Sequence, residues 1–404
     1  MGIAEKVTDQ IITGHNLHIE APLCSRFRTP KSGCSMCADT CPAGAISISD
    51  KGAEITGACI ECGICSSVCP NGVFQVKERD DERIIGEIRE AAGRNSRGEG
   101  KVLRISCERG DGKADLLVPC LGRLTEALLV EPVRTGFAGI DIIRPDCAEC
   151  PNSKASLHID KLLNRVFALY EMVNIERERL AIRRMPLQPP VKRPEKAVSR
   201  REFFSALRTK AAAVAATSLP EISAGGDARE QSFLEAISKR PGNSKRMLLI
   251  QALGEFAPVK EVCVPPGEVS LAEITVSSHC TACGVCATLC PTGALTQGWS
   301  EEQFCLSFRP SLCTNCRVCA ETCMPKAIST GETARLNHLL EDKELRVFEA
   351  ERKQCSLCRM DFVQSMGSRQ SSEGVPPGLP PGICPLCIDR HKKQMAFIQN
   401  GFMK

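Results

Sequence analysis

The chain has 404 residues, a length that fits about two to four domains, and its 43% hydrophobic content includes 26 cysteines. A formal charge of +4 with a single Trp and a single Tyr leaves little aromatic surface for stacking bases, which speaks against nucleic-acid binding. The first 14 residues hold no apolar core of the secretory kind, and no apolar run approaches the ~18 residues of a membrane span. Thiols at this density persist only on metal or under reducing conditions, so a cytoplasmic location is expected.

Residues 1–20 read as a lead-in, with His15 and His18 at the surface. Cys34, Cys37 and Cys41-Pro42 follow, then Cys59, Cys62, Cys65 and Cys69-Pro70, spaced by two, two and three residues before the Cys-Pro. Small residues come next in each case, Ala43-Gly44-Ala45 and Asn71-Gly72-Val73, where glycine lets backbone approach an inorganic core closely. Structural zinc instead favours two separated Cys-x-x-Cys knuckles. These runs resemble the two-4Fe-4S bacterial ferredoxins, over about residues 20–78 and, further on, 275–332. The resemblance implies that three thiolates of a run hold one cluster and the fourth crosses to its neighbour. One cluster would then sit on Cys59, Cys62, Cys65 and Cys41. Lys31 stands where the first run should have its leading thiol, so Cys24 is expected to complete a second cluster with Cys34, Cys37 and Cys69. The alternative is a three-ligand site with Cys24 packed as an apolar residue.

After Val76, Ile84, Ile85, Ile88, Ala91 and Ala92 recur at helical spacing. Val102 to Ile105 and Leu116 to Val118 predict short strands, Leu121 to Val130 a helix and Ile140 to Ile143 another strand, a small parallel-sheet unit. Cys107, Cys120, Cys147 and Cys150 fall at the ends of those strands, where parallel sheets gather ligands. The segments Val118-Pro119-Cys120-Leu121-Gly122-Arg123-Leu124 and Asp146-Cys147-Ala148-Glu149-Cys150 resemble the small iron-sulfur subunit of methyl-viologen-reducing hydrogenase. That resemblance implies a 2Fe-2S centre on an α/β domain. The family carries a further cysteine beside the one matched by Cys107, whereas here the surroundings are Ser106, Glu108 and Arg109. Zinc, or four buried thiols, stay open for this site.

A helical pattern runs from Leu157 towards Ile182, and Pro186, Pro189, Pro190 and Pro194 then mark a linker. Ser199-Arg200-Arg201-Glu202-Phe203-Phe204 looks like a twin-arginine signal but lies too far along the chain, and it reads as an amphipathic helix. Helical patterns follow at Phe233 to Ile237 and Met247 to Leu253, and Cys263 reads as a buried residue. The second ferredoxin-like stretch is complete: Cys280, Cys283, Cys286 and Cys290-Pro291, then Cys313, Cys316, Cys319 and Cys323, with Met324 before Pro325. Its crossed sets are Cys280, Cys283, Cys286 and Cys323, and Cys313, Cys316, Cys319 and Cys290. His279 reads as a bystander and Cys305 as a core residue. In the tail, Cys355, Cys358, Cys384 and Cys387 form two knuckles of zinc-ribbon spacing. Iron or a redox dithiol is the alternative, although Arg359 and Ile388 stand where a rubredoxin-like site would have glycine.

The expected architecture is therefore α+β. Residues 1–78 and 263–335 form two dicluster modules around an α/β domain at 79–160, with a helical linker at 161–262 and a zinc-ribbon-like tail at 336–404. Six four-thiolate sites, roughly −2 each when oxidised, would bring the formal charge to about −8. No Gly-x-Gly-x-x-Gly, Gly-x-Ser-x-Gly, His-Glu-x-x-His or Cys-x-x-Cys-His occurs to supply a nicotinamide, flavin, nucleophile, catalytic zinc or haem. With no evident catalytic site of its own, the chain is expected to pass electrons between partner proteins. It would do so as a relay in a dehydrogenase, hydrogenase or heterodisulfide-reductase type of assembly. The alternative is an iron-sulfur sensor acting through its tail.

Overall fold

The computed structural model describes residues 16–93, 100–191, 233–256, 272–300, 303–331, 335–365 and 379–401. The N-terminal module is built from two minimal hairpin pairings. Strand β1 (Leu17–Ile19) and a later strand enclose β2 (Ile46–Ser49) and β3 (Gly52–Ile55), which pair antiparallel with each other. The later strand, β4 (Phe74–Val76), pairs antiparallel with β1. Two-stranded ribbons this short are not stable alone, and the apolar core beneath them is only Leu17, Leu23, Ala53, Cys65, Val73 and Phe74. His18 is not a surface residue. It sits in β1 opposite Gln75, is 6% exposed and lies 3.5 Å from the Glu20 carboxylate, which supplies the partner that a buried imidazole needs. His15 lies outside the described residues.

The central region carries the main apolar core. Helix Asp81–Gly93 turns Ile84, Ile85 and Ile88 inward, as their spacing predicts. Strands β5 (Val102–Cys107), β6 (Leu116–Val118), β7 (Gly139–Pro145) and β8 (Leu180–Met185) form one parallel sheet in the order β6-β5-β7-β8. All seven residues of β7 are buried, the mark of a parallel strand covered on both faces. The helix expected from Leu121 resolves into a single 3-10 turn, Leu121–Arg123, and a helix Glu126–Arg134. The helical pattern expected to reach Ile182 stops at Met172, and the chain returns as β8. Only Leu180 of β8 is fully buried and the next four residues are exposed, so this edge strand shows no apolar alternation.

The proline-rich segment after β8 folds back at its start, where the Gln188 and Val191 amides donate to the Arg109 and Glu108 carbonyls. The twin-arginine-like segment and Cys263 lie outside the described residues. Residues 233–238 are helical. A second helix, Ser244–Gly254, starts at Asn243, whose side chain accepts from the Arg246 amide, and sends Leu249, Ala252 and Leu253 into the central core.

In the second module, β9 (Ile274–Val276), β10 (Leu295–Trp299), β11 (Gln303–Phe308) and β12 (Ile328–Thr330) repeat the first plan, with β9 paired to β12 and β10 to β11. The sheet does not stop at residue 335, where the tail is expected to begin. β13 (Leu345–Gln354) and β14 (Asp361–Ser365) extend it in the order β10-β11-β13-β14, and Phe348 and Ala350 share a core with Phe304, Leu306 and Phe308. Cys305 lies on the opposite face of β11, partly buried, with its sulfur 3.7 Å from the Ser307 hydroxyl, and so is not a core residue. Period-two alternation puts it there: its apolar neighbours take the inner face. No described helix is long and apolar enough to cross a membrane.

Candidate metal centres

Three of the cysteine runs share one backbone device. The residue before and the residue after the second cysteine are both left-handed: Glu61 and Gly63, Ala282 and Gly284, Asn315 and Arg317. Each reversal turns the chain about the thiol, so that cysteines three apart face inward together. At the two glycines, a Cβ on Gly63 would run into the stem of the Arg123 side chain, while one on Gly284 would displace the end of the exposed Gln297 side chain. A further left-handed residue follows the last cysteine of every run, at Gly44, Gly72, Gly293 and Lys326. At two of these turns the next amide donates back to sulfur, Ala45 to Cys41 and Ala327 to Cys323, both at 3.3 Å.

Neighbouring thiols of one run gather with a thiol from its paired run. Cys41, Cys59, Cys62 and Cys65 line one cavity, and Cys24, Cys34, Cys37 and Cys69 line another. Cys290, Cys313, Cys316 and Cys319 line a third. Cys280, Cys283 and Cys323 surround Cys286, whose thiol is pushed up to about 12 by burial first and then by these three neighbours. Burial likewise pushes Cys37 up to about 12, with Cys69, Cys24 and Cys34 adding to it, and Cys316 up to about 12, with Cys290 adding most among its neighbouring thiols. Thiols that oppose one another's ionisation in this way can all become thiolates only around a positive charge. The donor sets therefore suit a metal group with several thiolate ligands.

In the central region the ends of β5, β6 and β7 converge as parallel topology requires. Cys107, Cys120, Cys147 and Cys150 line a single small cavity with Arg109 and Pro119. Burial raises the Cys120 thiol furthest, and Cys107, Cys62 and Cys147 add to it. Cys62 belongs to the N-terminal module, so the two sites are neighbours. The seam between them is tight: a Cβ on Gly122 would lie 3.1 Å from Ile64, and one on Gly63 would run into Arg123.

The tail sulfurs of Cys355, Cys358, Cys384 and Cys387 lie within 4.8 Å of one another. The first knuckle occupies the turn between β13 and β14, and the second opens the helix Pro385–Gly401. Cys355 is fully buried, and the amides of Cys358 and Cys384 hold its thiol down to about 6. Arg359 takes a φ of 61° directly after the first knuckle, a conformation that favours glycine. His279 is exposed, with its Nδ1 3.4 Å from the Ser277 hydroxyl.

The two modules also meet each other, which their spacing along the chain did not indicate. Asn315, Cys316 and Glu321 stand on the rim of the cavity lined by Cys24, Cys34, Cys37 and Cys69. The Thr314 hydroxyl donates to Asn71, whose amide in turn donates to Leu23 and Ser25 at 2.9 and 3.1 Å. Asn71 and Thr314 are small polar residues beside a cysteine, and nothing in the local sequence marks them as a junction. Three family models match the chain. The 4Fe-4S dicluster domain matches residues 32–74, the 4Fe-4S binding domain residues 274–296 and the delta subunit of methyl-viologen-reducing hydrogenase residues 115–202. No curated protein and no solved structure matches it. The chain is thus similar to iron-sulfur domains at both modules and to a hydrogenase delta subunit between them.

Proposed function

We propose that the chain is a cytoplasmic electron-relay subunit of a hydrogenase or heterodisulfide-reductase type of redox complex. It would carry four 4Fe-4S clusters, a 2Fe-2S cluster or zinc on Cys107, Cys120, Cys147 and Cys150, and zinc on Cys355, Cys358, Cys384 and Cys387. When bound, such clusters exchange single electrons with little rearrangement of their ligands.

The observation that carries this reading is the adjacency of the cysteine groups. The central group borders that of Cys41, Cys59, Cys62 and Cys65 through Cys120 and Cys62. That group borders the Cys24 set through Cys65 and Cys37. The Cys24 set meets Cys316, and Cys319 in turn feels Cys286 of the last set. The resulting series differs from the order of the sites in the sequence. Its far end is open, because Cys283 is exposed. The hydrogenase delta-subunit match over residues 115–202 supports partner subunits at the central region.

Anaerobic purification with iron, sulfide and zinc analysis tests the reading. About sixteen iron atoms are expected from four cubanes, about two more if the central site is 2Fe-2S, and one zinc. A chain that holds zinc alone would end the relay reading. Cluster loss coupled to a change in partner binding would favour a sensor.

A further inference from the structure

The helix Ser244–Gly254 enters between the two modules, and its first turn touches both. The Asn243 amide donates to the Pro70 carbonyl at 2.8 Å and anchors the helix start against the turn after Cys69. Two residues later the Lys245 ammonium donates to the carbonyls of Ser66, Ser67 and Cys69, at 3.4 Å to Ser66 and 3.2 Å to Cys69. Those are the terminal carbonyls of helix Ile64–Val68, at the negative end of its dipole. The next residue, Arg246, is 4% exposed and donates to the Ser311 and Pro310 carbonyls at 3.0 and 3.4 Å, just ahead of Cys313. Successive helical residues point about 100° apart. One turn of helix can therefore serve two modules with two cations.

We propose that Lys245 and Arg246 set the reduction potentials of the two clusters facing the module junction. Lys245 acts on the cluster held by Cys24, Cys34, Cys37 and Cys69, and Arg246 on that held by Cys290, Cys313, Cys316 and Cys319. The proposal rests on the iron-sulfur assignment above. Reduction adds one electron and no proton, so the reduced cluster carries one more negative charge. A fixed cation nearby stabilises that form, and low-dielectric surroundings strengthen the effect. Lys245 is partly offset by Glu126, which is itself paired with Arg165 at 2.6 Å. Glu126 acts on Arg246 as well, so it tempers both cations, while the carbonyls that each one holds belong to different modules.

The test is a potentiometric titration followed by EPR on the full chain purified anaerobically. Signals are assigned with Cys37→Ser and Cys319→Ser. Lys245→Met is expected to lower the reduction equilibrium constant of the first junction cluster about tenfold, a fall of about 59 mV for a one-electron couple. The second junction cluster should not move. Arg246→Met should do the reverse, and Lys245→Arg and Arg246→Lys should hold the wild-type values. Unchanged potentials in both methionine variants at full iron content would overturn the proposal. Should a methionine variant load no iron, Lys245→Gln and Arg246→Gln are read in its place. Failure of those to load as well would overturn it in favour of a purely structural clamp. Wild-type chain without iron and sulfide would instead remove the iron-sulfur assignment itself.

Discussion

The first cysteine run of the N-terminal module and the first run of the second module hold the same place in the same plan, yet they are built differently. Around Cys283 the left-handed pair Ala282 and Gly284 turns Cys280, Cys283 and Cys286 inward within one short loop. Around Cys34, which holds the place of Cys283 because Lys31 stands at the leading position, no such pair exists: Ser35 has a φ of −134°, and a helix begins at Met36. Cys24, at the end of the 3-10 turn Ala21–Leu23, lines the same cavity as Cys34, Cys37 and Cys69. One set of three thiols is turned inward by local backbone, and the other is brought together from separate segments. The second kind depends on its surroundings, and here these include the other module through Asn71 and Thr314.

The sharpest way to break this comparison is at Cys24. Cys24→Ala is expected to remove about four iron atoms per chain by losing one cubane, measured by iron and sulfide analysis, while Cys305→Ala leaves the count unchanged. Full retention of iron in Cys24→Ala would mean that the first run closes its site without the distant thiol.

A second contrast concerns the short helix within each module's second run. Helix Ile64–Val68 leans on the central region through Ser67, whose hydroxyl lies 3.0 Å from the His158 imidazole. Thr322 of helix Val318–Thr322 bonds back to its own turn at the Val318 carbonyl. His158 is held down to about 4 from 6.5, by burial first, then by the charges of Arg165 and Lys245, with Glu126 opposing. The unfolded chain takes up the proton near 6.5 while the folded chain resists it until about 4. Stability is therefore complete above that range and falls as pH drops through it, by about 2 kcal/mol between pH 7 and pH 5. Denaturant unfolding at several pH values should show this slope, and His158→Gln should flatten it.

At the junction, Thr314→Val strips the donor from the buried Asn71 oxygen. A loss of about 1.5 kcal/mol is expected, read as a lower unfolding midpoint with iron content preserved. The smallest effect separates the two runs of the second module. Arg317 is exposed and takes a φ of 62°, where the corresponding residues of two other runs are Gly63 and Gly284. Arg317→Gly should raise stability by about 1 kcal/mol in thermal unfolding. No gain would mean that the arginine makes up for its strained backbone elsewhere.

Much of each site could be read along the chain because its geometry is local. Cysteines three apart on a reversing loop must face together, and strand ends in a parallel sheet must converge, so Cys107, Cys120, Cys147 and Cys150 could be grouped from sequence alone. The edge strand Leu180–Met185 escaped notice because only one of its six residues is fully buried, and an edge strand needs no apolar alternation. Cys305 was placed on the wrong side of its strand by apolar neighbours that face the other way.

The amino-acid sequence alone determined that thiols would cluster at several points and that the middle of the chain would form a parallel sheet, because both follow from short-range spacing and hydrophobic period. Only the tertiary structure decided that the two modules touch, that the tail strands extend the second module's sheet, and that Lys245 and Arg246 bind backbone carbonyls of one module each. Those contacts join residues up to 243 positions apart. Carbonyl acceptors such as those of Ser67 and Ser311 are common to every residue, so no side-chain pattern announces them.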